Sequence, residues 1–455
     1  MGEIIVKRCA TAGCHVDQSK EAAGGLSLEN WTKMFEGGSG GSIAIPYRSD
    51  MSWLCYFVNT YSDLGISLKP SMPVNGKTLT RDEVITLKNW VDQGAPSNNG
   101  IIAFSGNDFR KKYYVIHKGC DDVAVFDADT KLLMRYIKVG STEGTVNSAH
   151  NIKVSPDGKY WYVIFIADSV IQKFRTSDDS YVGSISIGQA SWNTLTISPD
   201  GKKAFIVAWQ DDGKIAYVDL ENMTLLKMYS FPTLMVQPHG IAATSDFKTL
   251  YVTSQNGNDI YKIDVTLPMI PDLSYVLLQP GETVNQGSDT YDPHEIIFSP
   301  DGTKYFVSCQ KTNEVRVFNQ SNDSLIAVIP VGTNPLEFAI SKKQSQLFVT
   351  CGEDPNVTGG NFKGSVYVIN YNTLQIEKIL NDKLYQPHGI QVDEKNNLLI
   401  VASENANPNG PVPHHTSLCG GRNGYVSFYD LNTLQQLYNY KTEVSVDPYQ
   451  VAVRN

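Results

Sequence analysis

The sequence predicts a multidomain chain: a small all-α domain followed by an all-β seven-bladed propeller. Two observations predict it. Beyond residue 109 a unit of alternating strands returns at intervals of 43, 46, 55, 42 and 52 residues. Ahead of it lies a stretch without that repeat, whose clearest element has the 3–4 apolar spacing of a helix. The expected boundaries are residues 1–97 for the first domain, 98–108 for a linker and 109–455 for the propeller.

The repeat carries the larger part of this reading. One unit runs HNIKVSPDG from His150, then YWYVI, then SVIQKF. The order returns at Asn193 (NTLTISPDGKKAFIV), His239 (HGIAATSDFKTLYVT), His294 (HEIIFSPDGTKYFVS), Leu336 (LEFAISKKQSQLFVT) and His388 (HGIQVDEKNNLLIVA). Strand alternation broken by Pro-Asp-Gly or an equivalent turn gives one four-stranded sheet for every ~40–50 residues, which is the spacing of propeller blades. A seventh inner strand stands at the very end, PYQVAVR over residues 448–454, with nothing after it. Its missing partners are YYVIHKGCDDVAVFD and LLMRYIKVG near residues 113–139, so the chain end is expected to close the ring and remove an open sheet edge.

In the first domain the chemistry concentrates in Cys9-Ala-Thr-Ala-Gly-Cys14-His15, a C-x-x-x-x-C-H pattern. Two thiols followed directly by a histidine are what covalent haem attachment requires: the thiols add to the vinyl groups and the imidazole turns to the iron. The usual spacing is two residues shorter, and Gly13 supplies backbone freedom for the longer loop. A chance pair or half a zinc site stays open, although this segment has no second Cys/His pair to complete a zinc shell. A distal ligand is sought among methionines. Met72, followed by Pro73 in KPSMPVNG, is the first choice, with Met34 and Met51 as rivals. A helix follows, with Thr80 and Glu83 as a capping box, Val84, Leu87, Trp90 and Val91 on one face, and Gly94 at its end.

Together these features resemble small bacterial cytochrome c domains across residues 3–97: the Cys-Cys-His motif, Ser52-Trp53-Leu54 ahead of the Met-Pro loop, then LTRDEVITLKNWVDQGAP. The resemblance implies one covalent haem c, with Cys9 and Cys14 as attachment points and His15 and Met72 on the iron. Residues 109–455 resemble YVTN-type propellers, an architecture also found in nitrous oxide reductase and haem-dependent nitrite reductase. Because c-type haem is attached outside the cytoplasm, a periplasmic or cell-surface location is expected. MGEIIVKRC lacks the charged and apolar regions of a signal peptide, so a mature or trimmed form is expected.

Seven further histidines stand at positions 117, 150, 239, 294, 388, 414 and 415. His150, His239, His294 and His388 share one place in four units, the start of the innermost strand. Asn193, Leu336 and Tyr449 hold that place elsewhere. His117 ends a second strand, and His414 and His415 lie in an insertion at 404–424, so all seven are expected toward one end of the channel. Imidazoles packed near water are one reading. A second metal site is the other, with copper foremost, since imidazole suits Cu, Zn, Fe and Ni. Nitrous oxide reductase uses such a centre and has an adjacent His pair. No Cys/His/Met cluster resembling its electron-entry copper domain is found here. Cys419 is a further ligand or none. The remaining cysteines, from an odd total of seven, read as buried apolar residues.

The net charge of −9 gives no case for nucleic-acid binding, and no apolar run approaches a bilayer span. No Ser-His-Asp motif, phosphate loop or nicotinamide fingerprint is found. The leading expectation is an extracytoplasmic haem c electron-transfer protein whose propeller docks a redox partner protein or hosts a second redox metal site. A redox enzyme with a histidine-rich copper site at the channel mouth, and a non-catalytic binding module with an attached haem domain, stay beside it. Whether the chain is an enzyme is therefore left open, as is a lipid anchor or membrane-associated partner.

Overall fold

The structure is a computed structural model that describes residues 2–74, 76–210, 213–266, 272–353, 362–381, 383–407, 410–411, 423–437 and 442–454. Seven four-stranded antiparallel sheets form a seven-bladed β-propeller. Blade 1 takes its inner strand from the chain end: Pro448–Arg454 pairs with Lys112–His117, which continues into Asp122–Asp127 and Leu133–Lys138. Blades 2 to 7 start with the inner strands Ala149–Val154, Ser191–Ile197, Pro238–Ala243, Pro293–Phe298, Pro335–Ser341 and Pro387–Asp393.

The burial pattern shows why these segments become strands. Middle strands such as Tyr160–Phe165 and Lys203–Trp209 are buried on both faces, because a neighbouring blade covers each one. Outer strands such as Tyr181–Ser186 return to an exposed character. Adjacent blades share apolar clusters. Tyr114 of blade 1 packs on Trp161 of blade 2, whose ring stacks on Phe174 at 3.9 Å. The Ser-Pro-Asp-Gly turns have a local cause. In blade 2, the Ser155 hydroxyl bonds Asp157 at 2.6 Å, the Gly158 amide donates to the Ser155 carbonyl at 2.8 Å, and Gly158 takes φ +71°.

The expected separate all-α cytochrome c domain is overturned. Among the described residues, the first hundred hold four short α-helices, α1 (Ile5–Cys9), α2 (Trp31–Met34), α3 (Trp53–Val58) and α4 (Arg81–Asp92), and three single 3-10 turns. Only α4 is longer than six residues, and turns and loops join the rest. The segment also does not stand apart. Ile45 and Met51 belong to the apolar core of blade 1, with Tyr113, Leu133 and Tyr136. The Ser42 hydroxyl donates to the Leu133 carbonyl at 2.7 Å. Arg48 reaches the buried Asp122 at 3.4 Å and lies over the Tyr136 ring. The segment is therefore an elaboration docked on the outside of blade 1. The α4 helix is capped as its sequence indicates, with the Thr80 hydroxyl accepting from the Glu83 amide and the Glu83 carboxylate accepting from the Thr80 amide.

Candidate functional site

Two groups of chemistry-bearing residues emerge, one in the N-terminal segment and one where the inner strands converge. In the first, α1 ends at Cys9, and the next six residues fold back on it. The Cys14 amide donates to the Thr11 carbonyl at 2.9 Å and the His15 amide to the Cys9 carbonyl at 3.2 Å. Gly13 permits this with φ +77°. The longer loop between the cysteines is thus absorbed as a turn that returns His15 to Cys9.

Cys9, Cys14, His15 and Met72 together line a cavity of about 540 Å³. Its other walls are largely apolar, including Leu26, Leu28, Ile43, Trp53, Phe57 and Val58. A cofactor-sized apolar chamber with a few convergent donors is the usual form of a prosthetic-group site. Cys9 is buried and its thiol is pushed up to about 11 by that burial, whereas Cys14 is exposed. Burial lowers the His15 pKa, which favours neutral imidazole. Its Nδ1 faces the Leu26 carbonyl at 3.4 Å, the arrangement that leaves Nε2 as the ligating nitrogen. Met72 is placed by its amide, which donates to the Phe57 carbonyl of α3 at 2.8 Å. Arg8 ties the motif to α4 through Glu83 at 2.8 Å. Met34 is buried in the segment's core and Met51 in the blade 1 core, and neither lines the cavity.

At the convergence of the inner strands, His150, His239, His294 and His388 are all buried. With Tyr449 their rings make a closed circuit. His150 is 6.2 Å from His239, which is 3.9 Å from His294. His294 is 5.9 Å from His388, which stacks at 3.8 Å on Tyr449, and Tyr449 lies 4.4 Å from His150. Three imidazoles use Nδ1 on a carbonyl further round the ring: His150 on Asn193, His239 on His294 and His388 on Tyr449, at 2.9–3.0 Å. Burial lowers the pKa of all four, His239 to about 4 and His388 to about 3. Lys118 stands over the Tyr449 ring at 4.4 Å.

His117 is placed differently. Its Nδ1 bonds the Asp122 carbonyl at 3.1 Å and its ring packs on Tyr136, so it joins none of the ring contacts linking the other four. His414, His415 and Cys419 lie outside the described residues. Cys120, read from the sequence as a buried apolar residue, is disulfide-bonded.

One contributor escaped the sequence reading. Every inner strand has a β-bulge near its start, as in Pro293↔Cys309 followed by Ile296↔Val307, where three steps face two. The bulge re-aims a side chain. In blade 6 it brings Glu337, the residue after Leu336, into ligand range of His294 and His388: one donor atom from each lies within 4.8 Å of the others. The signal was the acidic residue following Pro-Leu in PLEF, at the place of Gly in PHG.

No family model matches the chain, and no curated protein matches it in sequence. Among solved structures it is similar to Kuenenia stuttgartiensis hydrazine synthase, at 15% identity over 69% of this chain and 93% of that one, with a TM-score of 0.51. It is also similar to a functionally unknown protein from Desulfotomaculum acetoxidans DSM 771, at 13% identity over 75% of this chain and 98% of that one, with a TM-score of 0.57. At such identities the common property is the fold. What is shown is the seven-bladed β-propeller itself.

Proposed function

We propose that the chain carries one covalently attached haem in the N-terminal cavity and acts as an extracytoplasmic electron-transfer protein, with the propeller as the platform that docks its redox partner protein. The observation that carries this reading is the meeting of Cys9, Cys14, His15 and Met72 on one apolar cavity of about 540 Å³. The donor set fits the group: two thiols for the vinyl positions, an imidazole whose tautomer is set by the Leu26 carbonyl, and a thioether. Bound there, haem iron with His and Met ligands supplies one-electron exchange with little rearrangement. The largely apolar walls would limit the access of water to the bound group. The disulfide at Cys120 supports an oxidising compartment, the periplasm or cell surface.

The test is maturation in a host competent for c-type haem attachment, followed by denaturation and acid-acetone extraction. The wild-type chain is expected to keep its haem in the protein fraction. Cys9→Ala with Cys14→Ala is expected to release all of it. A wild-type protein that gives up its haem to the solvent, or never takes any, overturns the proposal.

A further inference from the structure

We propose that His294, Glu337 and His388 form a binding site for one divalent first-row transition ion where the inner strands of blades 5, 6 and 7 converge. The proposal is independent of the haem reading, since none of these residues lines the N-terminal cavity.

Four observations carry it. The three residues are buried, with one donor atom apiece inside a sphere of mutual distances no larger than 4.8 Å. His294 has both ring nitrogens buried without a hydrogen-bond partner, a costly state that ligation would relieve. His388 commits Nδ1 to the Tyr449 carbonyl at 3.0 Å, so its Nε2 keeps the lone pair a metal requires. Glu337 is oriented by the Gln450 amide, which donates to Oε2 at 2.7 Å, and a carboxylate oxygen of it is the third donor of the group.

The donor chemistry selects the class of ion. Two imidazoles and one carboxylate suit borderline ions such as Zn²⁺, Cu²⁺ or Fe²⁺. Mg²⁺ and Ca²⁺ want oxygen shells, and Cu⁺ prefers sulfur. Three protein ligands leave at least one coordination position for water or a small ligand. All three side chains are buried, so a cation there would offset the charge of the Glu337 carboxylate. Lys118, over the Tyr449 ring, is the opposing charge.

The experiment is elemental analysis of the full-length protein, expressed with Zn²⁺ or Cu²⁺ supplied separately and then dialysed against a chelator. A buried site should retain about one such ion per chain, counted apart from iron, so failure of the haem proposal leaves this count untouched. Two variants are chosen to keep the fold. Glu337→Gln is isosteric, and His294→Leu copies the residue that blade 6 carries at the same place, Leu336. Each should cut retained metal by at least about tenfold, with the far-UV circular dichroism unchanged. Retention of neither ion by the wild-type chain, or full retention by the folded Glu337→Gln variant, overturns the proposal.

Discussion

His117 shows how one residue can look like a ligand and serve as structure. Its position at the end of a second strand placed it among seven histidines expected at one face. In the fold it is fully buried, with Nδ1 on the Asp122 carbonyl and Nε2 without a partner. Burial lowers its pKa from about 6.5 to about 3. The sign follows from proton counting. Between those two values the unfolded chain holds a proton that the folded chain refuses, so stability is complete above pH ~6.5 and falls as the pH drops toward 3. The slope is about 1.4 kcal/mol per unit for each such group. His117→Asn keeps a donor at the Nδ1 position and removes the titration. Acid titration followed by circular dichroism should therefore show an unfolding midpoint shifted to lower pH, with about one fewer proton taken up. An unchanged acid limb would show that His117 does not contribute to it.

At the scale of elements, the sequence was most legible where each blade repeats the same local physics. Alternation and Pro-Asp-Gly turns marked the strands, and the shared place of His150, His239, His294 and His388 was visible by alignment of the repeats. Glu337 was hidden because strict alternation sends the residue after Leu336 to the other face, and a bulge cancels that arithmetic. In blades 4, 5 and 6 a hydroxyl on the second strand spans the bulge. Thr350 accepts from the Glu337 amide at 3.1 Å and donates to the His388 carbonyl at 2.8 Å. Thr253 makes the same bridge from Gly240 to His294, and Ser308 from Glu295 to Leu336. These are the Thr and Ser of YVT, FVT and FVS, so the repeat motif joins one blade to the next. Thr350→Val keeps the size and removes the bridge, leaving two buried backbone groups unpaired. It should destabilise the protein by about 2 kcal/mol or more in urea unfolding. A change below about 0.5 kcal/mol would mean that water takes over the bridge.

At the scale of the molecule, the first hundred residues were misread because a motif and one capped helix were extended into a domain. The α4 helix was legible from Thr80 and Glu83, but α1, α2 and α3 are four to six residues long, too short to build an all-α core. The segment draws its stability from two places. One is its own cluster around Met34, Leu54, Val84 and Leu87. The other is the blade 1 core, which Ile45 and Met51 enter from outside at 2% and 5% exposure. Shared burial of this kind couples unfolding, because losing the segment uncovers Tyr113, Leu133 and Tyr136 to water. The wild-type chain should therefore unfold in one calorimetric transition. Ile45→Ala with Met51→Ala removes side-chain volume at the junction, at roughly 2–5 kcal/mol for each buried side chain. The α4 side of the segment is untouched by these changes. The double variant is thus expected to show two transitions, a small early one for the segment and a later one for the propeller near the wild-type temperature. A single transition lowered as a whole would place the coupling elsewhere, at Arg48 and Asp122 or at Ser42 and Leu133.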